Sequence, residues 1–284
     1  MLYFSTGSFK GSPATKIAEE MYISGATAVE LSAGQHDPNF LSEIEKLKNL
    51  GLNLKLHNYY PVPSESFVMN LASPIEEIRY KSIALASQAL EITSRFNMRH
   101  YAVHAGMRVD PNPSELGSQF LARDLVDEKI SMNLFIESIT SLTHLAKRLG
   151  VELLVENHVS NLQNLEVYGE NVFLLSSLDQ ILSFYNEYGA ETRLLLDVGH
   201  LNVSSNALGF SKIEAFQTLH GRIGGYHLHD NDGVSDQHNA FGESAWFIPF
   251  LRNEVEYVTC EINDVSIHAI TGVRKALSTL GWDS

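Results

Sequence analysis

Short runs of β-branched and other apolar residues alternate with longer stretches of helical period along the whole 284-residue chain. The runs at 2–5, 28–31, 53–56, 100–103, 152–155, 193–196, 223–228 and 257–260 read as strands. Between them, residues 14–24, 39–50, 74–96, 127–149, 177–188, 211–219, 244–252 and 265–280 read as helices. In the third of these, Ile75, Ile78, Ile83, Leu85 and Leu90 fall at broadly helical spacing. Gly51, Gly150 and Gly189 stand where C-terminal helix caps would. Eight strand–helix units in series, with no linker and no break in composition, predict an α/β protein: one (β/α)8 TIM barrel over residues 1–284. An open doubly wound sheet is the rival, but Gly7-Ser8-Phe9-Lys10-Gly11 fits neither standard phosphate loop. Residues 107–124 form a long excursion broken by Pro111, Pro113 and Gly117, open to reading as a lid or as a plain surface loop.

Composition narrows the class. Hydrophobic residues make up 44% and charged residues 19%, enough apolar surface for a large core and too much for a disordered chain. The single cysteine, Cys260, excludes an intrachain disulfide and a cysteine-based zinc cluster. No apolar run reaches the ~18 residues of a membrane helix. The opening Met1-Leu2-Tyr3-Phe4 lacks the basic start of a signal peptide, so a reduced, cytoplasmic protein with no membrane partner is expected. The net charge of −14 is uneven: residues 151–284 carry 18 acidic and 6 basic side chains. Such a half repels a phosphate backbone unless metals or a basic patch reverse the field, which disfavours nucleic acid as a partner.

The informative positions follow the apolar runs. His57, His104, Glu156, Asp197 and Glu261 end five of the strands, and His227 falls late in the seventh. In a barrel the C-terminal strand ends converge on one mouth, where catalytic groups sit. A carboxylate stranded there is expensive unless it is paired or metal-bound. Imidazoles and carboxylates without cysteine suit a hard-to-borderline divalent cation: Zn first, then Mn, Mg or Co. His200 lies three residues beyond Asp197, and Asp236 and His238 share the loop after the seventh strand. His229 is read as pointing away from His227, with Asp230 beside it able to hold a loop. His36, His100, His144, His158, His220 and His268 are given no role.

The segments Val155-Glu156-Asn157, Leu196-Asp197-Val198-Gly199-His200, His227-Leu228-His229-Asp230 and Cys260-Glu261-Ile262 resemble the xylose isomerase-like barrel superfamily. That superfamily includes sugar isomerases and epimerases and the endonuclease IV family. The isomerase resemblance implies that Glu156, Asp197, His227 and Glu261 bind one divalent metal. It also makes Glu156 and Glu261 the proton-transfer pair and puts His200 on substrate. The endonuclease IV branch is similar in inventory, with three zincs on nine ligands matched by His57, His104, Glu156, Asp197, His200, His227, Asp236, His238 and Glu261. Asn70-Leu71-Ala72-Ser73-Pro74 also resembles that branch. Two features depart from it: residues 61–66 look inserted, and Glu261-Ile262-Asn263 replaces its Glu-Thr-Pro.

Two chemistries follow. In an isomerase or epimerase of a small sugar, polyol or sugar phosphate, one metal polarises a carbonyl and its neighbouring hydroxyl while the paired glutamates move a proton. Glu30, late in the second strand, and His200 are the candidates for gripping hydroxyls. In a phosphodiesterase or phosphatase with two or three zincs, His57, His104, Asp236 and His238 supply the extra ligands. There Lys10 and Arg108 are the basic residues expected to reach the rim, a thin footprint for duplex DNA. A metal-stabilised binding protein is the non-catalytic reading, opposed by the presence of both Glu156 and Glu261. The balance of charge favours the isomerase or epimerase, with one to three ions per chain, a small sugar or phosphorylated partner, and a homo-oligomer compatible with the sequence.

Overall fold

The computed structural model describes residues 1–187, 189 and 191–282. Its eight strands are β1 Leu2–Ser5, β2 Ala28–Leu31, β3 Asn53–His57, β4 His100–His104, β5 Glu152–Glu156, β6 Arg193–Asp197, β7 Ile223–Leu228 and β8 Tyr257–Cys260. They are all parallel and close in chain order, β8 pairing back onto β1 through Leu2↔Val258, Tyr3↔Thr259 and Phe4↔Cys260. This is the (β/α)8 barrel the alternation predicts. Four strands run one residue beyond prediction, so that His57, His104, Glu156 and Asp197 are the last residues of β3 to β6. Among the described residues, no helix is long and apolar enough to cross a membrane.

The helices are α1 Ala14–Ile23, α2 Phe40–Asn49, α3 Glu76–Arg95, α4 Glu128–Leu149, α5 Leu162–Tyr168, α6 Leu178–Glu187, α7 Val198–Leu208, α8 Lys212–Leu219 and α9 Ile267–Leu277. Gly51 and Gly150 follow α2 and α4 with φ of +87° and +68°, the left-handed stop that glycine permits. The predicted end of α6 at Tyr188 lies outside the described residues, although the Gly189 N–H donates to Phe184 O at 2.9 Å. The helix predicted at 244–252 does not form; only a 3-10 turn, Ile248–Phe250, is present. Pro249 accounts for this, because in the middle of the predicted segment its ring removes the N–H donor a helix would need and clashes with the preceding turn.

Side chains alternate across each strand. Outward residues such as Val29, Leu56, Val103, Val155, Leu196 and Leu228 join the helices in the main core. Inward residues stack in layers. Tyr3, Ala102, Leu154, Leu195 and Tyr257 form an apolar plug inside the barrel. One step further toward the strand ends, the inward positions are polar: Glu30, His57, His104, Glu156, Asp197, His227 and Thr259. Register sets neighbours among them, with His104 opposite Glu156 and Asp197 opposite His227. The polar floor is thus a direct product of period-two alternation on closed parallel strands.

The excursion after β4 holds no α-helix, only a 3-10 turn at Pro113–Glu115. It is tied down on every side. Met107, Val109 and Phe120 pack with Val68, Val172 and Phe173 in a separate apolar cluster. Glu115 pairs with Arg123 at 2.6 Å, and Phe120 N–H donates to Asn164 Oδ1 at 2.8 Å.

Candidate metal centre

Glu156, at the end of β5, is wholly buried and surrounded by imidazoles. His57 Nε2 lies 3.1 Å from its Oε2 and His104 Nε2 3.7 Å; His200 Nδ1 lies 3.4 Å from its Oε1 and His227 Nδ1 3.5 Å. Neither carboxylate oxygen has a hydrogen-bond partner among the described residues. Burial alone would raise its pKa, but the charges on His104, His227 and His57 outweigh it and hold the group well below the usual carboxylate range.

His227 is the second pivot. Its Nε2–H donates to Glu30 Oε2 at 3.1 Å, which turns Nδ1 toward three carboxylates. Glu156 Oε1, Glu261 Oε2 and Asp197 Oδ2 stand 3.5, 3.6 and 3.9 Å from that atom. An imidazole lone pair aimed at three anionic oxygens is repelled unless a proton or a cation lies between them. Without a metal the proton takes that place, and the charges of Glu30, Glu261 and Glu156 hold the His227 pKa well above its ordinary value despite burial.

Asp197 and His200 belong to one device. Asp197 caps α7, its Oδ1 accepting the His200 N–H at 2.7 Å. Asn157 clamps β5 to β6: its side-chain amide donates to Asp197 O at 3.0 Å and its Oδ1 accepts from Asp197 N–H at 2.8 Å. The Asn157 carbonyl in turn accepts from His200 Nδ1 at 2.9 Å. That fixes the tautomer and presents Nε2 to Asp236 Oδ2 at 3.4 Å. His238 is held the same way, with Nδ1 donating to Glu261 O at 2.9 Å and Nε2 3.0 Å from Asp236 Oδ2. Asp236 raises the His238 pKa to about 9 against the pull of burial. His238 adopts φ of +53°, a strained backbone for a side chain of this size, in the loop that delivers it.

The sequence-predicted ligands therefore come together around one inner face. Four compact groups have donor atoms within 4.8 Å of one another: Glu30–His57–His227, His57–His104–Glu156, Asp197–His200–His229 and His229–Asp236–His238. Two expected substrate contacts are corrected. Glu30 does not reach a hydroxyl at the mouth; it is fully buried beneath His227, where Lys55 Nζ lies 2.7 Å and Thr259 Oγ1 3.1 Å from its Oε2. Arg108 is not a free rim cation. It is buried, with Nε donating to Val126 O at 2.8 Å, Nη1 to Asn171 O at 2.7 Å, and Glu170 at 2.8 Å. Lys10 is exposed in the loop after β1.

Arg108→Met is accordingly expected to leave two loop carbonyls without donors. Roughly 1–3 kcal/mol of stability should be lost, read as a lower thermal midpoint and faster proteolysis within 107–127. An unchanged midpoint would remove Arg108 from the anchoring of that excursion.

The residues missed from sequence are His229, Lys55, Asn157 and Thr259. His229, expected to point away from His227, is instead fully buried with Nε2 3.2 Å from Asp197 Oδ1 and 3.4 Å from Asp236 Oδ1. Its ring stacks on His238 at 4.2 Å, 3° from parallel. The available signal was parity, since residues two apart on a strand share a face. Lys55 obeys the same parity with His57. His158, given no role, packs at a tilt on Phe173 at 4.3 Å and stands 5.3 Å from His104, forming a wall beside the cluster. His100 sits at the opposite end of the barrel, in an ion network of Glu152, Glu256, Arg99 and Arg193.

Comparison with known proteins agrees with this architecture. Residues 21–280 match the family described as xylose isomerase-like TIM barrel. A D-tagatose 3-epimerase-like protein superposes with a TM-score of 0.72 at 17% identity, covering 99% of this chain and 98% of that one. An L-ribulose 3-epimerase gives 0.66 at 16%, covering 99% and 93%. An uncharacterised protein of Methanocaldococcus jannaschii is 25% identical over 175 residues, which span 62% of this chain and 57% of that protein.

Proposed function

The chain belongs to the xylose isomerase-like TIM barrel family, and from that premise we propose that it is a divalent-metal-dependent isomerase or epimerase of a small sugar, polyol or sugar phosphate. The observation that carries this reading is the convergence of Glu156, Asp197 and Glu261 on His227 Nδ1 within 3.9 Å. Nδ1, Asp197 Oδ2 and both Glu156 oxygens lack hydrogen-bond partners among the described residues. Buried polar atoms of this kind normally have partners. Three carboxylates and one neutral imidazole are a donor set that fits a divalent cation, zinc best and Mn, Mg or Co as alternatives. Such an ion would supply Lewis-acid polarisation of a substrate carbonyl and the adjacent hydroxyl.

The rest falls to the chain's own groups. Glu156 at the end of β5 and Glu261 directly after β8 come from separated parts of the barrel rim, so that one carboxylate takes a proton from carbon and the other returns it. His200 Nε2, aimed by the Asn157 carbonyl, binds a substrate hydroxyl. Neutral sugars meet no electrostatic barrier in the acidic second half of the chain. The acceptance of sugar substrates by epimerases of the same fold supports this reading.

A second reading has its own observation. His57 and His104 on one side of Glu156, and His200 and His238 around Asp236 on the other, exceed the needs of one ion. They favour a phosphodiesterase or phosphatase with two or three zincs. Elemental analysis of protein purified without chelator or metal-affinity tag separates the two. We expect one divalent ion per chain, retained in His57→Ala. Two or three zincs, lost together with phosphoesterase activity in His57→Ala, would establish the hydrolase instead, and a metal-free protein would overturn both.

A further inference from the structure

We propose that Lys55, Glu30 and Thr259 form an internal seat that fixes which nitrogen of His227 faces the metal position, making Glu30 and Lys55 positioning residues. The inference rests on the metal-dependent reading above. Its basis is one atom: Glu30 Oε2 lies 2.7 Å from Lys55 Nζ, accepts from Thr259 Oγ1 at 3.1 Å and meets His227 Nε2 at 3.1 Å. With three donors around it, that oxygen has no capacity left for a cation, although Glu30 lies in ligand range of His57 and His227 and its other oxygen, Oε1, has no hydrogen-bond partner among the described residues. What Oε2 does instead is keep a proton on Nε2 and leave the Nδ1 lone pair free.

Lys55 is the costly member. Its ammonium is buried in the barrel interior, 3.3 Å from the centre of the Tyr257 ring and 5.3 Å from that of Tyr3. Buried ion pairs are seldom a gain in stability over apolar packing. Here the pair has a direction: Lys55 Nζ, 2.7 Å away, anchors the oxygen that His227 addresses from above. Three different strands, β2, β3 and β8, place the three groups under a residue of a fourth, β7.

The test is zinc affinity of metal-free protein, measured against a chelating dye, for the wild type and the Glu30→Gln, Lys55→Met and doubly substituted proteins. It is joined by ¹⁵N-histidine spectra of the zinc-loaded forms. Glu30→Gln removes the negative charge, so that even with its amide oxygen turned to Nε2 it holds the proton there more weakly than the carboxylate does. We expect zinc affinity to fall about 10–100-fold. We also expect the double variant to be no weaker than Glu30→Gln alone, because both changes act through one oxygen. Wild-type spectra should show zinc on His227 Nδ1 and a proton on Nε2. Wild-type affinity and Nδ1 ligation in Glu30→Gln, or additive losses in the double variant, would overturn the seat while leaving the metal reading intact. A wild type that binds no zinc would overturn the metal reading and the seat with it.

Discussion

Replacing Glu156 by glutamine is expected to lower turnover at least about a thousandfold and to empty the metal centre. Positioned acid–base groups contribute about 10²–10⁴ in rate, and in the proposed mechanism Glu156 is both such a group and the hub of the ligand set. One carboxylate serves His57, His104, His200 and His227 at 3.1 to 3.7 Å. Glutamine keeps the volume but loses the charge, and it points N–H groups at nitrogens that themselves carry protons or seek a cation. Removing one partner of a buried ion pair costs about 3–5 kcal/mol when the other must stay charged. Imidazoles can instead release their protons, so the thermal midpoint of the metal-free variant should fall by less than that implies. Metal content and turnover measured on one preparation check the prediction. Near-native turnover in Glu156→Gln would remove the residue from the chemistry.

Gly199→Ala should be nearly as damaging although it replaces none of the sequence-predicted ligand residues. A Cβ at this position would stand 1.9 Å from His229 Cε1 and 2.2 Å from its Nε2. The ring has nowhere to retreat. His238 stacks on it at 4.2 Å, and Asp197 and Asp236 flank its Nε2. Overpacking of this kind costs about 1–3 kcal/mol, and each kcal/mol moves the midpoint of a chain somewhat smaller than this by about 2–4 °C. We expect a fall of several degrees together with loss of activity. The double variant Gly199→Ala/His229→Ala should recover the midpoint but not the activity. A wild-type midpoint in Gly199→Ala alone would show that the backbone of α7 can shift freely at its first turn.

Why strands were legible and two helices were not follows from burial. Every strand carries outward apolar residues at period two, and the ionisable residues at their ends mark the inner face. Helix α7 carries no such contrast: Val198 to Ser205 are all buried, so no polar stripe alternates with an apolar one. Its first turn, Val198-Gly199-His200, reads as a loop because a glycine and a histidine sit where a helix former would. Helix α5 is only seven residues long, Leu162–Tyr168, too short for a periodic signal. The metal-type residues were readable from chemistry and position, whereas Lys55 was not. A lysine in an otherwise apolar strand reads as solvent-facing, and only barrel closure shows that its parity with His57 turns it inward.

Closure also decides when the centre can exist. Glu30 and Thr259 are 229 residues apart, Glu30 and His227 are 197 apart, and β1 is zipped to β8 across nearly the whole chain. Contacts of such separation are late and slow to form, since the entropy of the loop must be met before they return anything. No fragment lacking the last strand holds both glutamates, and during synthesis the centre cannot assemble until β8 has been made. A cation captured by this set therefore binds only the completed ring. It should raise the free energy of global unfolding by its full binding term and leave the fraying of α1 to α3 unprotected.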